Sequence, residues 1–342
     1  MPAKTLTLGQ LNRATLARQM LLAREARTPL RAIERLVGLQ AQLARPPFVG
    51  LWSRVRDFHA DQLTRMIQRR KVVRATMMRA TLHIMSAKDY VSLRASIQPA
   101  LTRAMHSALR RRADGLDVQA LVKAARRHLE RAPQTFEHLR AELSQLDPKG
   151  DERAMGYAVR LHLPLVQVPE ETTWGYPGTA KFTPAESWLG KPIAAAEEKP
   201  RGLVLRYLAA FGPASAADVQ AWSGLTGLRE VLDELGAKLR VFEDERGREL
   251  FDLPRAPRPA ARTPAPARLL PEYDNLVLGH DDRTRVVPDE YRSKICLPNL
   301  RILPTMLVDG FVAGTWKTEV SRKKAVLILE PFESLPPKAR RE

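Results

Sequence analysis

The sequence predicts an α+β protein in which helical modules come first and a β-rich domain follows. Three observations predict this class. Helical runs followed by paired β-prone runs recur along residues 1–254, a stretch rich in proline, alanine and arginine occupies 255–268, and short strand-like runs dominate 269–342. No residue-level repeat accompanies this pattern, so the prediction depends on the order of the elements alone.

The first module is predicted over residues 1–112. Thr28 followed by Pro29 is a helix start, because threonine caps the first turn and proline suits its first position. Three helices and a hairpin are the element order of a winged helix, a variant of the helix-turn-helix. The predicted elements are helices over 8–22, 28–39 and 60–70, a hairpin of 72–77 and 81–85, and one long basic helix over 86–112.

The same order is predicted twice more, in modules over 113–198 and 199–254. Helical runs over 118–129, 135–146 and 152–161 precede a strand at 165–168 in the second module. In the third, a helix over 203–211, a helix capped by Ser215 and a helix over 228–235 precede a hairpin within 239–253.

The linker at 255–268 is predicted to be extended and solvated, because its prolines cannot join a helix or a central strand. Strands are predicted beyond it within 268–279, 285–288, 302–317 and 324–332. Asp309-Gly310 lies between two apolar runs and is typical of a two-residue hairpin turn. We expect a small β-sheet or barrel here.

The chain has 342 residues, 56 Lys+Arg, 38 Asp+Glu and a net charge of +18. Residues 1–145 contain 27 of the basic and 10 of the acidic residues, a surplus of 17, so nearly all the excess is N-terminal. Arginine outnumbers lysine three to one, which a GC-rich genome would also produce, but that bias does not explain the missing acids. The asymmetry predicts a nucleic-acid partner.

Several classes of protein are excluded. One cysteine, Cys296, excludes a disulfide scaffold and a cysteine-ligated zinc site, and no apolar run approaches a membrane span. No metalloprotease, P-loop, nucleophile-elbow or paired-cysteine motif occurs. We therefore expect a cytoplasmic protein, associated with the nucleoid through DNA, without metal or cofactor.

Several isolated polar or aromatic residues can be interpreted either as functional or as structural residues. His83 in the predicted hairpin is a candidate DNA contact, although a lone histidine is more often structural. Asp281 and Asp282 could be acid–base groups, but the arginines beside them favour an ion-paired loop. Trp222 and Trp316 are interpreted as packing residues rather than base-stacking platforms.

Gln40 and Gln42 flank Ala41 at the predicted end of the second helix, before Pro46-Pro47. At this spacing on a helix the two side chains point about 200° apart, so they converge on one ligand only where the helix ends. Glutamines at a helix end are usually caps or surface residues, and glutamine does not titrate but only donates and accepts hydrogen bonds.

The segment Gly38-Leu39-Gln40-Ala41-Gln42 resembles the Gln–apolar–Gln motif of the AlkZ-like winged-helix DNA glycosylases, first known as azinomycin self-resistance enzymes. Four further stretches, in the same order, are similar to segments shared across that family and make the resemblance cover most of the chain. They are MRATLHIMSAKDY (78–90), FGPASAADVQAWSGL (211–225), LLPEYDNLVLGHDDRTRVV (269–287) and VDGFVAGTWK (308–317). A related subgroup has Asp in place of the second glutamine, so Gln42 indicates the subgroup that retains both.

The resemblance implies tandem winged helices and a β-barrel-like domain in a C-shaped, basic channel around double-stranded DNA. It implies hydrolysis of the N-glycosidic bond of N7-alkylated purines, and in some members unhooking of interstrand crosslinks, with Gln40 and Gln42 positioning the water and supporting the sugar. It also implies a hairpin that probes the minor groove. Without an obvious lysine nucleophile we expect a monofunctional enzyme without lyase activity, acting as a monomer.

Candidate DNA contacts surround the third helix and hairpin of the first module and a loop of the C-terminal domain. They are Arg69, Arg70, Lys71, Arg74, Arg79, His83, Arg283 and Arg285, with Arg110–Arg112 as cations that could equally stabilise a helix C-terminus. The alternative function is a non-catalytic winged-helix regulator. RNA binding is less favoured, because no RNP-type aromatic strand or GXXG clamp is present in a suitable context.

Overall fold

A computed structural model describes residues 4–148, 150–298 and 300–341 as an α+β fold with three sheets. The strands are β1 (Lys4–Leu6), β2 (Leu39–Gln40), β3 (Val72–Thr76), β4 (Leu82–Ser86), β5 (Leu165–Gln167), β6 (Phe182–Pro184), β7 (Arg240–Asp244), β8 (Glu249–Asp252), β9 (Arg268–Leu270), β10 (Thr305–Val308), β11 (Phe311–Val320) and β12 (Ala325–Pro331).

Helices fill most of the chain between the strands. They are α1 (Leu8–Arg18), α2 (Pro29–Arg35), α3 (Pro46–Arg54), α4 (Ala60–Gln68), α5 (Ala87–Leu93), α6 (Gln98–Leu109), α7 (Val118–Arg131), α8 (Phe136–Ser144), α9 (Glu152–His162), α10 (Ala185–Leu189), α11 (Arg201–Phe211), α12 (Ala216–Ser223), α13 (Leu228–Leu235), α14 (Asn275–Leu278), α15 (Asp289–Ile295) and α16 (Pro337–Arg341).

Local capping signals fix where many helices begin. Thr28 accepts a hydrogen bond from the backbone N–H of Arg31, and Ser215 forms a reciprocal capping box with Asp218. The single long helix predicted over 86–112 is wrong: α5 and α6 are separate, with Pro99 in the first turn of α6. Proline lacks the N–H that a continuous helix would need, so it starts a new one.

Three stretches share one element order: a helix, a short extended segment, two helices and two strands. In each stretch, the extended segment pairs antiparallel with the last strand. The pair is β2 with β4 in the first stretch, Gln134 with Phe182 in the second and Ala214 with Phe251 in the third. The first stretch uses α2, α3 and α4. The helix predicted over 8–22 is confirmed as α1, which lies outside this element order, and α3 was not predicted.

The first two stretches share a single five-stranded sheet, in the order β2-β4-β3-β5-β6. β3 pairs antiparallel with β5 where Ala75 meets Val166, so the sheet crosses the predicted boundary between residues 112 and 113. The third stretch has its own sheet, in which β1 lies parallel to β7.

The N-terminal helix α1 ties the third stretch to the rest of the protein. Arg18 donates through Nη1 and Nη2 to the two carboxylate oxygens of Asp252 at 2.7 and 2.8 Å, and both side chains are fully buried. Arg258, in the predicted linker, pairs with the same carboxylate, so this part of the linker lies against the protein instead of being free in solvent.

The C-terminal domain contains an open four-stranded antiparallel sheet, in the order β12-β11-β10-β9, and the predicted barrel is not closed. Four strands are too few to close a barrel around packed side chains. Asp309 (φ 46°) and Gly310 (φ 83°) form the predicted two-residue turn between β10 and β11. The strand predicted around residues 275–278 is instead α14, capped by Asp274.

Candidate functional site

Gln40 lies on a strand, and the predicted location of the two glutamines at a helix end is wrong. Helix α2 stops at Arg35, and Val37 (φ 54°) and Gly38 (φ 93°) turn the chain into β2. A Cβ on Gly38 would lie 2.9 Å from Met85 Cγ and 3.1 Å from the carbonyl oxygen of Ile84, so only glycine fits this turn. Gln40 consequently stands opposite His83 in the sheet.

Both glutamine side chains accept hydrogen bonds from residues at the turn between β3 and β4. Ala41 N–H donates to the carbonyl of Leu82 at 2.7 Å, which continues the ladder beyond β2. Arg79 Nη2 donates to Gln40 Oε1 at 2.8 Å, and the Leu82 N–H donates to Gln42 Oε1 at 2.7 Å. Gln40 is buried, whereas Gln42 is exposed.

Arg74 donates hydrogen bonds to the backbone of the glutamine segment. Its Nε donates to the Ala41 carbonyl at 2.8 Å and its Nη2 to the Gln42 carbonyl at 2.9 Å. Burial lowers the pKa of Arg74 to about 10, so the group keeps its charge at neutral pH. The prediction that Arg74 contacts a DNA phosphate is not supported, because its side chain is buried and bonded to these carbonyls.

Asn275, in the C-terminal domain, forms hydrogen bonds with the backbone of β2 and of the residue before it. Its Oδ1 accepts from the Gln40 N–H at 3.2 Å, and its Nδ2 donates to the Gly38 carbonyl at 2.6 Å. This residue was missed by the sequence analysis. The only local signal is the Asp-Asn pair before a short apolar run, which indicates a helix cap and not a contact 235 residues away.

Arg79 occupies the turn between β3 and β4 with a left-handed backbone, φ 55°. Besides Gln40, it donates through Nη1 to the Trp222 carbonyl at 2.6 Å, so it joins the first stretch to the third. Burial, reinforced by the charge of Arg283, lowers the pKa of Arg79 to about 10. A charged side chain held at a strained turn is typical of a functional position.

His83 and Arg285 are buried and bonded inside the protein, so their predicted DNA contacts are not supported. The Nδ1 of His83 lies 3.1 Å from the Thr81 carbonyl, and burial and the nearby Arg79 lower the pKa of His83 to about 3. Arg285 donates to the Pro213 carbonyl at 2.7 Å and lies 3.8 Å from Asp218.

The remaining predicted DNA contacts lie in three separate parts of the structure. Arg69, Arg70 and Lys71 are exposed at the end of the β3–β4 hairpin opposite to Arg79, where Arg70 stacks on Trp188 at 3.9 Å. Arg283 is half-buried near Arg79 and donates to Cys296 Sγ at 3.6 Å. Arg110–Arg112 lie in a turn after α6, and Arg112 pairs with Asp151 at 2.6 Å.

Asp282 is an ion-paired loop residue, as predicted, but its partners come from the β7–β8 hairpin and are not the neighbouring Arg283 and Arg285. It lies 2.5 Å from Arg248 and 3.3 Å from Arg246. Burial alone would raise the pKa of Asp282, but hydrogen bonds from Thr284 and the charge of Arg248 lower it to about 2. Trp222 and Trp316 are buried packing residues, as predicted.

A cleft of about 490 Å³ opens beside Gln42, between the first and second stretches. Arg160 on α9 reaches Thr76 Oγ1 at 3.5 Å, and burial lowers the pKa of this arginine. The polar side chains that line the cleft are those of Gln42, Arg74, Glu137, Arg140, Arg160, Gln167, Tyr176 and Thr179.

The β11–β12 hairpin stands next to the glutamine segment. Arg45 Nη2 donates to Thr318 Oγ1 on β11 at 3.1 Å, and the Arg45 guanidinium lies 5.8 Å from the centre of the Trp316 ring. The hairpin turn consists of Ser321-Arg322-Lys323-Lys324, all exposed, and Val320 before it is 77% exposed. A basic turn with an exposed apolar residue thus lies at the end of an arm that begins at the site.

Within residues 4–148, 150–298 and 300–341, no group of three or more His, Cys, Asp or Glu side chains could hold a metal ion. Over the same residues, no helix is both long and apolar enough to cross a bilayer.

Residues 33–342 match the model of one protein family, described as DNA glycosylase AlkZ-like. Among solved structures, the chain is similar to the Streptomyces sahachiroi DNA glycosylase AlkZ. The TM-score is 0.77 and the sequence identity 21%, over 98% of this chain and 94% of that one. At this identity the structural likeness concerns the fold. No curated protein matches the chain.

Replacement of Arg74 should destabilise the protein. Arg74→Met leaves the carbonyls of Ala41 and Gln42 without their donor, and we expect a loss of about 1–3 kcal/mol in the free energy of unfolding, measured in urea. Arg69→Met, at an exposed position, is the matched control and should unfold like the wild type. Equal stability of the two variants would contradict the bracing role of Arg74.

The burial of His83 predicts a pH dependence of stability. The pKa of His83 is 6.5 in the unfolded chain and about 3 in the fold, so only the unfolded chain takes up the proton between these values. Stability should therefore decrease as pH falls, by about 1.4 kcal/mol per pH unit from this residue.

Urea unfolding between about pH 6 and pH 4 measures that slope. In His83→Gln the slope should be smaller by the contribution of one histidine, whereas substitution of the exposed His138 by Gln should leave it unchanged. A slope that His83→Gln does not alter would mean that this histidine is protonated in the fold.

Proposed function

Because the chain belongs to the AlkZ-like DNA glycosylase family, we propose that it hydrolyses the N-glycosidic bond of N7-alkylated purines in double-stranded DNA. The observation that supports this most is the convergence of Gln40 and Gln42 at one turn, next to a cleft and at the start of a basic hairpin. We propose these two residues as catalytic.

The chemistry suits side chains that do not titrate. Alkylation at N7 gives the purine a positive charge, so the base leaves as a neutral molecule and needs no general acid. Ordinary glycoside hydrolysis uses two carboxylic groups because its leaving groups are uncharged. Amides can contribute through positioning and electrostatic alignment.

We propose that the three stretches with repeated element order are tandem winged helices. In each stretch, an extended segment pairs with the last strand, and two helices lie between them along the chain. This order supports the interpretation as winged helices. Together with the C-terminal domain they would enclose duplex DNA in a C-shaped, basic channel. The protein would act as a monomer, at the nucleoid.

The cleft beside Gln42 is the proposed path of the damaged strand. Arg140 and Arg160 line it and are half-buried, and no carboxylate is among the charges that act on Arg160. Half-buried cations without a carboxylate partner favour an anion such as a backbone phosphate. The exposed Arg69, Arg70 and Lys71 remain proposed contacts further along the duplex, and Arg79 and Arg283 lie nearest the reaction.

The β11–β12 hairpin is the proposed minor-groove probe. Its turn carries Arg322, Lys323 and Lys324, and Val320 offers an apolar side chain to the base stack. Proteins that enter the minor groove combine cations with such apolar wedges. A base crosslinked to both strands cannot rotate into a closed pocket, so a site on an open groove is also compatible with crosslink unhooking.

No described residue that lines the cleft is a lysine. We therefore propose a monofunctional enzyme that leaves an abasic site and does not cleave the strand. The alternative is a non-catalytic regulator, which would bind the duplex without ever releasing base.

Removal of either glutamine should abolish most of the activity. Purified protein is incubated with a duplex that contains 7-methylguanine, and free base is measured over time. We expect Gln40→Ala and Gln42→Ala to slow base release by about 10²–10³-fold each, while duplex affinity is retained. Gln68→Ala, on the exposed end of α4, is the control. A wild-type protein that binds but releases nothing would favour the regulator.

Removal of Arg140 or Arg160 should weaken binding through the loss of a phosphate contact. For each of Arg140→Gln and Arg160→Gln, the slope of log affinity against log salt should become shallower by about one unit. Arg255→Gln, exposed in the linker, is the control. Unchanged slopes in both cleft variants would place the strand elsewhere.

A further inference from the structure

A second concave surface, here called the basic groove, opens at the end of the β3–β4 hairpin that lies away from Arg79. It has a volume of about 780 Å³ and shares no lining residue with the cleft beside Gln42. The length of β3, five residues or about 15 Å, separates it from the turn that holds Arg79. Five exposed cations line the basic groove: Arg69, Arg70, Lys71, Lys88 and Lys191.

The protein does not neutralise these charges itself. Over the described residues, none of the five cations forms an ion pair with a carboxylate. Glu34 is the one acidic side chain among the described residues that line the basic groove, and Arg31 pairs with it at 2.8 Å. A concave surface that gathers cations without counter-charges favours a polyanionic ligand.

Arg70 lies in stacking contact with Trp188. The centre of its guanidinium is 3.9 Å from the centre of the indole ring, and its Nη1 donates to the Trp188 carbonyl at 2.9 Å. The Arg70 backbone is left-handed, φ 55°, a conformation that non-glycine residues rarely adopt. Arg70 is nevertheless exposed, so the side of the guanidinium away from the indole faces solvent. A flat cation is thus held in one orientation at the wall of the basic groove.

Apolar side chains line the same surface. Leu30, Val91 and Leu189 are half-buried there. A paired duplex turns its phosphates outward and keeps the faces of its bases inside the stack, so it offers these side chains no apolar partner. An unpaired strand offers both phosphates for the cations and free base faces for the apolar side chains and a guanidinium plane.

We propose that the basic groove binds single-stranded DNA, with one unpaired base stacked on the Arg70 guanidinium and neighbouring phosphates at the other four cations. The inference takes DNA as the ligand from the proposed function and goes beyond it in the form of that DNA. Arg69, Arg70 and Lys71 contact an unpaired strand that continues from the duplex. A duplex with a single-stranded tail is therefore bound more tightly than a blunt one.

Arg70→Ala and Arg70→Lys test the stacked base. Affinity is measured by fluorescence anisotropy with an unmodified oligothymidine of about 15 nucleotides, a length within known single-strand site sizes. We expect Arg70→Ala to bind about 10-fold more weakly than wild type. Arg70→Lys should bind about 5-fold more weakly, because lysine keeps the charge but lacks the flat face. Arg255→Ala and Arg255→Lys, in the exposed linker, are the matched controls.

The other cations are tested through the salt dependence of binding. In the double variant Lys88→Gln/Lys191→Gln, the slope of log affinity for oligothymidine against log salt should become shallower by about 1.4, or 0.7 for each lost phosphate contact. The double variant Arg255→Gln/Arg262→Gln removes the same charge from the exposed linker and should keep the wild-type slope. Equal slopes in the two double variants would overturn the proposal.

Tailed duplexes test whether the bound strand is unpaired. Wild type is compared on a blunt duplex and on duplexes of the same paired length with a tail of about 15 nucleotides at a 5′ or a 3′ end. We expect one of the tails to raise wild-type affinity by about 10-fold and Arg70→Ala to lose most of that gain.

Two results would contradict the single-stranded ligand. If Arg70→Lys binds oligothymidine as tightly as wild type, Arg70 acts as a charge only and no base stacks on it. If Arg70→Ala weakens binding to the blunt duplex as much as to oligothymidine, paired DNA occupies the basic groove. Thermal unfolding of each variant identifies a folding defect. None of these DNAs carries an alkylated base, so a protein that fails to release 7-methylguanine would refute the glycosylase function without changing these results.

Discussion

The buried ion pair between Arg54 and Asp274 is the constraint on which the arrangement of the site depends. Arg54, at the end of α3, donates to the two carboxylate oxygens at 2.9 and 2.6 Å, and both side chains are almost completely buried. A buried charge that loses its partner costs about 3–5 kcal/mol. The C-terminal domain is therefore fixed against the first stretch, and Asp274 also caps α14, which begins with Asn275.

From this anchor the geometry of the glutamines follows. Asn275 bonds Gly38 and Gln40 on one side of β2, and Arg74 bonds Ala41 and Gln42 on the other, so the backbone of the motif is bonded from two directions. Arg79 and Leu82 then set the side chains. Groups held this firmly before a substrate arrives lose little freedom when it binds, which is the condition for electrostatic catalysis.

The local signals of the sequence predicted the helix starts at Thr28 and Ser215 and the turn at Asp309-Gly310, because caps and turns depend on neighbouring residues. They could not predict β2, since the chain turns into this strand at Gly38, which packs against Met85 and Ile84 more than forty residues later. The family resemblance pointed to Gln40 and Gln42, but not to Asn275 or to the direction of the amides. Arg74 and Arg285 look like surface residues in the sequence and are buried by tertiary contacts alone.

The pairing of β3 with β5 limits how the protein can be divided. A fragment that ended near residue 112 would keep the pairing of β3 with β4 but would leave the other edge of β3 open, where Ala75 pairs with Val166. Open strand edges of this kind recruit other strands and aggregate. The first two stretches are thus one structural block that cannot be cut at residue 112, whereas the third has a sheet of its own and is held to the rest by the bond from Arg79 to the Trp222 carbonyl and by the Arg18–Asp252 pair.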